Sequence, residues 1–234
     1  MRTFLIAVLV SCLMVACLGY VRALIPPANS VSLAAPGDED GVAPDGRSGT
    51  SDDRSPPALY LQNLRAFEAK GKPLTDADLA AIPDLTQLTC LLLSDTKITD
   101  AGLAHLRQLP QLSRLELKDT AITDAGLAHL EAIHSLECLK LDGTRITDAG
   151  IAHLSSLPQL WFLSLSNTQV GDTGLAHMQT MGRLERLYLS HTRITDEGMA
   201  SLNHLRQLEL LELKGTQITD TGLARLSQLE RLGD

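Results

Sequence analysis

The sequence predicts an α/β solenoid, in which a short strand and a helical segment are repeated along the chain. Threonine recurs every 24 residues from Thr96 to Thr216, and leucine and glycine columns recur at the same spacing. Within each repeat, two leucines separated by one residue indicate a strand, and the apolar residues that follow switch to helical spacing. A period of this length is typical of strand–helix units that stack on one continuous core.

Six full repeats run from Leu88 to the end of the chain, within residues 88–234. Each reads L-x-x-L-x-L-x-x-T-x-I-x-D-x-G-L-A-x-L-x-x-L. In the second repeat, Leu115 and Leu117 are expected to point into the core from the strand, and Leu127 and Leu130 from the helix. Helices need wider spacing than strands, so the solenoid is predicted to curve with parallel strands on its concave face and helices on its convex face.

The polar columns of the repeat are expected to satisfy backbone groups. Thr123 or Asp124 precedes a helical stretch and is expected to cap it. Gly126 is expected to let the helix pack close to the strand layer. The column that contains Thr120 is expected to hydrogen-bond between successive repeats, where the chain leaves the strand.

The two ends of the solenoid are expected to differ from its middle. Residues 58–87 are predicted to form a degenerate N-terminal capping repeat, which has Asp78 where the others have glycine. Pro57 is typical of a helix start, and that helix is expected to end at Gly71. At the other end, two predictions remain open: Glu230, Arg231 and Asp234 form a polar lid, or two copies of the chain meet end to end as a homodimer.

The repeat and the phrase I-T-D-A-G-L-A-H-L at 98–106 resemble the leucine-rich-repeat family, over about 170 of the 234 residues. The phrase is similar to repeats of bacterial secreted leucine-rich-repeat proteins and of the F-box leucine-rich-repeat adaptors. The resemblance implies a non-catalytic module that binds a protein or peptide on its concave face. No segment resembling an F-box precedes the repeats.

Residues 1–23 are predicted to be an export or anchor segment, because an apolar run follows Arg2. Three fates remain open: cleavage after Ala23, retention as a membrane anchor, or lipidation at Cys17, where M-V-A-C resembles a lipobox. Residues 24–57 are rich in proline, glycine, serine and aspartate and predict a disordered linker. These features predict an extracytoplasmic protein that is secreted, periplasmic or membrane-anchored.

The candidate binding residues vary between repeats while their leucine neighbours stay fixed. They lie beside the core leucines of the strands and are therefore expected to project from the concave face. Aromatic and arginine side chains among them are the types that dominate binding hot spots. The predicted protein-binding residues are Arg114, Glu116, Lys140, Trp161, Phe162, Arg186, Tyr188 and Glu212.

Other classes of site are not predicted. The net charge of −8 and the absence of a basic run argue against nucleic acid. No catalytic, metal-binding or cofactor motif occurs, and the repeating His105 column is interpreted as a duplicated, solvated helix position. The Asp100 column is interpreted as helix caps. Cys90 and Cys138 are expected to be free thiols, because two strands of spacing exceed the reach of a disulfide.

The sequence thus favours a non-catalytic protein- or peptide-binding module that is exported or membrane-tethered. Two alternatives remain open: an intracellular adaptor of the F-box type, and a structural protein that associates with copies of itself. No cofactor is expected, and contact with a membrane is expected only through the N-terminal segment.

Overall fold

The computed structural model describes residues 65–80 and 86–233. In this part of the chain, seven parallel strands pair in sequence order to form one open sheet. The strands are β1 (Ala66–Glu68), β2 (Cys90–Leu92), β3 (Arg114–Glu116), β4 (Cys138–Lys140), β5 (Phe162–Ser164), β6 (Arg186–Tyr188) and β7 (Leu210–Glu212). The predicted α/β solenoid is confirmed. The predicted export segment, the linker and Cys17 lie outside the described residues.

The helical segments are short. The α-helices are α1 (Asp76–Leu79), α2 (Asp100–Leu103), α3 (Asp124–Leu127), α4 (Asp148–Leu154), α5 (Asp172–His177) and α6 (Asp220–Leu223). The 3-10 helices are Ala104–Gln108, Met178–Thr180, Gly198–His204 and Ala224–Leu226. Each segment must return to the strand layer within one repeat, so it has room for one or two turns, and tight 3-10 turns complete several of them.

The core follows the predicted leucine pattern. Leu91 pairs with Leu115, and Leu115 with Leu139, so equivalent residues of successive repeats lie side by side. Leu117 and Leu127 are fully buried, like the corresponding leucine or isoleucine of the neighbouring repeats. The core is therefore one column of stacked leucines between the strand layer and the helix layer.

The threonine column does not act as expected. The Thr120 hydroxyl donates to the backbone carbonyl of Leu117, at 2.6 Å, within its own repeat. The same contact recurs at the other members of the column, which are Thr96, Thr144, Thr168, Thr192 and Thr216. The predicted bonds between repeats are wrong, because the chain turns directly after the strand and brings this carbonyl back onto the hydroxyl.

Contacts between repeats come instead from the aspartate column. Asp100 does not cap its own helix: its Oδ1 accepts from the Thr123 amide at 2.8 Å, and its Oδ2 from the Thr123 hydroxyl at 2.6 Å, one repeat later. The pairs Asp76–Thr99, Asp124–Thr147, Asp172–Thr195 and Asp196–Thr219 repeat this arrangement. We call this series of pairs the aspartate ladder. Thr123 occupies the N-cap position, but its hydroxyl serves the ladder.

The aspartate ladder explains the glycine column. A Cβ at Gly126 would overlap Oδ1 of Asp100, so glycine makes room for a carboxylate rather than for close packing of helix on strand. At the last pair, the hydroxyl and then the amide of Thr219 hold the pKa of Asp196 below its usual value. The Asp196 carboxylate therefore acts as a charged acceptor from the following repeat.

The first repeat closes the aspartate ladder with its own side chain. Asp78 Oδ2 accepts from both the amide and the hydroxyl of Thr75, each at 2.9 Å. Asp78 stands where the other repeats have glycine, and it replaces the aspartate that a preceding repeat would supply. The prediction of a helix that ends at Gly71 is wrong over the described residues, because Ala66–Glu68 form strand β1, which pairs with β2.

The last repeat is partly covered. Leu226 and Leu229 are 8% and 5% exposed, whereas Leu210 and Leu223 are 37% and 50% exposed. The Gly233 amide donates to the Glu209 carbonyl at 3.0 Å and continues the backbone pairing beyond β7. Asp234, one residue of the expected lid, lies outside the described residues.

Candidate functional site

The first and third residues of strands β1 to β7 point away from the core, and we call the surface that they form the strand face. Side chains alternate along a strand, so the leucine between these two residues is committed to the core. Parallel pairing in register then places the variable residues in two straight columns across the sheet. This arrangement lets residues that are 24 positions apart act together.

Three aromatic side chains meet at the strand face and form what we call the aromatic cluster: Phe162 and Tyr188 on the face itself, and Trp161, which directly precedes β5. The ring centroids of Phe162 and Tyr188 lie 5.2 Å apart, on the neighbouring strands β5 and β6. Trp161 meets Phe162 edge to face, with a centroid separation of 5.9 Å. All three side chains are half-buried, so their rings pack against one another and keep a surface open to solvent.

Two cations flank the aromatic cluster. Lys140 Nζ lies 5.8 Å from the Phe162 ring centroid, and Arg186 Cζ lies 5.9 Å from that of Trp161. Both distances are within the range of a cation–π contact. Lys140 also forms an ion pair with Glu116, whose Oε1 lies 2.8 Å from its Nζ. The cluster is therefore a mixed aromatic and cationic surface.

The structure thus brings together six of the eight predicted binding residues, namely Glu116, Lys140, Trp161, Phe162, Arg186 and Tyr188. The other two, Glu212 and Arg114, lie outside this contact network. Glu212 accepts from the Ser190 hydroxyl at 2.7 Å, on the far side of Tyr188. Arg114 lies between Cys90 and Cys138 in the first column.

A polar contact beside the aromatic cluster was missed from the sequence. The buried Ser164 donates its hydroxyl to Asp142 Oδ1, which also accepts from the Ser166 amide at 3.1 Å. At the position two residues beyond the strand face, Ser94, Asp142 and Ser190 are buried, whereas Lys118 and Lys214 are exposed. The strict alternation expected from the sequence therefore ends with the strands.

A second missed column controls the turn after the strands. Asp95, Asp119, Asn167 and His191 adopt positive φ angles of 54° to 58°, and Gly143 follows the same pattern at 69°. The signal in the sequence is that this position carries glycine, aspartate, asparagine or histidine, the residue types that tolerate this conformation. It is weak because four residue types share one role.

The two cysteines of the solenoid are free thiols, in the register that the repeat predicts. Burial raises the pKa of Cys138 to about 11 and raises that of Cys90 as well. A thiol is nucleophilic only as its thiolate, so at neutral pH both side chains act as apolar surface beside Arg114.

The histidine column is less solvated than expected. His105, His129 and His153 are half-buried and His177 is exposed, while His153 Nδ1 lies 2.5 Å from Glu131 Oε1. Among the residues that the structure describes, no group of three histidine, cysteine, aspartate or glutamate side chains could hold a metal ion. Over the same residues, no helix is long and apolar enough to cross a membrane.

Comparisons with known proteins agree with this geometry. A family model described as Leucine Rich repeat matches residues 184–202 and 203–227. The crystal structure of an internalin from Listeria monocytogenes is similar in fold, with a TM-score of 0.56 and 22% sequence identity. The match covers 74% of this chain and 54% of the internalin chain, so this chain spans about half the length of that protein. No curated protein matches the sequence.

The matched family model covers the repeats that contain β6 and β7, and the same 24-residue unit extends in register back to β1. The structural similarity covers the same architecture of parallel strands and short helices. The chain therefore has the fold of a leucine-rich-repeat solenoid, and residues 184–227 match the leucine-rich-repeat family model.

Proposed function

We propose that this chain is a non-catalytic module whose strand face binds a protein or peptide through the aromatic cluster. The observation that carries the proposal is the cluster itself, which gathers three of the seven aromatic residues of the chain. These rings are not needed to fill the core, because Leu163 and Leu187 on the same strands are fully buried. A half-exposed aromatic cluster is typical of a binding surface.

The chemistry of the aromatic cluster supports a peptide or protein ligand. Rigid aromatic rings supply contact area at low entropic cost, and the adjacent Arg186 supplies hydrogen-bond donors. Both raised thiol pKa values favour binding over nucleophilic chemistry at this face. Glu212 and Arg114 extend the proposed surface on either side.

We also propose that the solenoid is presented outside the cytoplasm. This proposal rests on residues 1–23, with their apolar run and the lipobox-like Cys17, and on the proline-rich residues 24–57. A linker of this composition holds a domain away from the surface to which its other end is attached. The proposed location is secreted, periplasmic or membrane-anchored.

The experiment is a selection of random twelve-residue peptides displayed on phage against the full chain, followed by binding measurements on the enriched peptides. We expect Phe162→Ala or Tyr188→Ala to weaken binding by more than about 1 kcal/mol, roughly fivefold, with folding nearly intact. Lys118→Ala, at an exposed position just beyond β3, is the control and should change little.

Stability measurements show whether the two faces of the strands are assigned correctly. Leu187, the residue between Arg186 and Tyr188 in the sequence, is fully buried. Its replacement by alanine should cost about 2–5 kcal/mol of the free energy of unfolding. Equal losses of stability in the Phe162, Tyr188 and Leu187 variants would contradict the assignment of the two faces. If the selection yields no peptide whose binding depends on the aromatic cluster, the proposed function is contradicted.

A further inference from the structure

Two arginines of the strand face have no acidic partner among the described residues. Arg114 on β3 and Arg186 on β6 have no carboxylate within the 4.0 Å limit for an ion pair, and their guanidinium groups donate no hydrogen bond there. Lys140 differs, because Glu116 already neutralises it. A guanidinium presents a planar fork of donors that matches a carboxylate. The two arginines therefore offer two unfilled carboxylate sites.

The sheet fixes the spacing of these arginines. Both occupy the first column of the strand face, and Cys138 and Phe162 lie between them in register. Three strand spacings of about 4.8 Å separate their backbones by roughly 14 Å. An extended peptide advances about 3.4 Å per residue, so its residues i and i+4 are also about 14 Å apart.

Side-chain alternation in such a peptide completes the match. Residues i, i+2 and i+4 of an extended chain point to the same side. With i and i+4 over the two arginines, residue i+2 lies over Cys138 and Phe162, which form the apolar middle of this column. The bound peptide would cross the strands rather than run along them.

The charge of this surface complements an acidic ligand. From β3 to β6, the strand face carries three cations (Arg114, Lys140 and Arg186) and one carboxylate (Glu116), a local net charge of +2. The whole chain carries −8. Glu137 and Glu185 are joined to Trp161 by backbone hydrogen bonds. Each directly precedes a strand, so these acidic residues border the first column of the strand face on the side where the strands begin. An anionic peptide is favoured over the column itself.

We propose that the strand face selects an extended peptide with two carboxylate side chains four residues apart and an apolar side chain midway between them. This inference rests on the proposed function and specifies its ligand. The two carboxylates contact Arg114 and Arg186, and the apolar side chain packs against Phe162 and Cys138. Arg186 stays stacked on Trp161 and presents its donor edge to the ligand.

The test uses fluorescein-labelled synthetic peptides and the full chain, with binding read from fluorescence anisotropy. The first peptide carries aspartate at positions one and five and leucine at position three, with serine and glycine elsewhere. The second has the same composition with the two aspartates adjacent. We expect the spaced peptide to bind at least about fivefold more tightly, because only its carboxylates reach both arginines.

A charge exchange makes the test specific to Arg186. Arg186→Glu should weaken binding of the spaced peptide at least about tenfold, and a peptide with lysine replacing one of the two aspartates should regain affinity for this variant. Arg206→Glu is the matched control, because Arg206 is exposed in the segment before β7, away from the strand face, and should alter neither affinity. Circular dichroism checks that each variant is folded.

Two outcomes would overturn the inference. Equal binding of the spaced and adjacent peptides would show that charge alone attracts them. The random library could also yield peptides that bind through Phe162 and Tyr188 but lack two carboxylates four residues apart. That result would support the proposed function and contradict the ligand inferred here. If the random library yields no peptide whose binding depends on the aromatic cluster, the proposed function itself fails. The two failures are therefore distinguishable.

Discussion

Asp100 and Gly126 belong to one contact, although they lie in different repeats and in different columns of the sequence. The carboxylate of Asp100 binds the next repeat and fills the space that a Cβ at Gly126 would need. Both residues recur in nearly every repeat, and both serve the stacking of repeats. The aromatic cluster lies instead at positions that vary between repeats.

The raised pKa of Cys138 leads to a prediction about its reactivity. With a pKa of about 11, roughly 0.1% of the Cys138 thiol is ionised at pH 8, against about a quarter of an ordinary cysteine. We expect iodoacetamide to modify Cys138 in the folded protein at least about 100-fold more slowly than it modifies a free cysteine derivative.

Mass spectrometry of the modified peptides measures this rate, and its pH dependence identifies the cause. The folded environment disfavours the thiolate, so the rate at Cys138 should still increase above pH 10, where an ordinary thiol is already ionised. Modification in the unfolded protein is the control and should proceed at the ordinary rate. A rate that levels off near pH 9 in the folded protein would show that limited access, rather than ionisation, protects the thiol.

Between elements, the aspartate ladder joins the start of one helix to the start of the next. Each carboxylate accepts one amide and one hydroxyl from the following repeat, as Asp172 does from Thr195 at 2.9 Å and 2.7 Å. Such charge-assisted hydrogen bonds are stronger than neutral ones. The ladder therefore adds a polar link between helices that are too short to be stable alone.

The link can be measured with a double-mutant cycle on Asp100 and Gly126. Gly126→Ala should destabilise the protein by about 1–3 kcal/mol, because the overlap with Asp100 outweighs the helix propensity of about 1 kcal/mol that alanine adds. In an Asp100→Ala background the overlap with the carboxylate is removed and a 3.1 Å contact with Leu103 Cδ1 remains, so the same change should cost less. We expect an interaction energy of at least about 1 kcal/mol.

Urea unfolding of the four proteins gives this interaction energy. Gly182→Ala is the matched control, because a Cβ at Gly182 would meet nothing within 4 Å, and its effect should be within about 0.5 kcal/mol. Additive effects of the Asp100 and Gly126 changes would contradict the role assigned to the glycine column.

The first and last described repeats differ in the groups that they leave exposed. Asp78 completes the aspartate ladder at the first described helix, so Thr75 leaves no donor for a partner. In the last repeat, Leu223 is 50% exposed, whereas the equivalent Leu175 is fully buried. Leu210, the other large apolar residue exposed among those described, lies on β7 in the same repeat. The last described repeat therefore presents an apolar surface beside β7, the last strand of the described sheet.

We propose that two copies of the chain associate through this surface, and we predict that Leu223→Lys weakens the association. Lysine at a half-exposed position costs little folding stability but places a charge in the contact. Sedimentation velocity of the full chain at tens of micromolar should show a larger species that the variant loses. Gln179→Lys adds the same charge at an exposed helix position and should leave it intact. Identical profiles for all three proteins would contradict the end-to-end contact.

Much of the architecture follows from the amino-acid sequence, because a 24-residue period with fixed leucines specifies the same unit again and again. Strand order, register and the buried leucines are local consequences of that pattern, so Leu115 and Leu117 were assigned correctly. The free thiols Cys90 and Cys138 follow from the register too. The strand-face residues could be named from the alternation of the strands.

What the sequence could not supply is the partner of each polar group. The aspartate of one repeat binds a threonine 23 residues later, and a helix-capping role fits the same residue types equally well at the level of sequence. The contacts of Trp161, Phe162, Arg186 and Lys140 likewise depend on rotamers and on the twist between neighbouring strands. Periodicity fixes which residues become neighbours, whereas the direction of each hydrogen bond and ring contact is fixed only when the repeats are packed together.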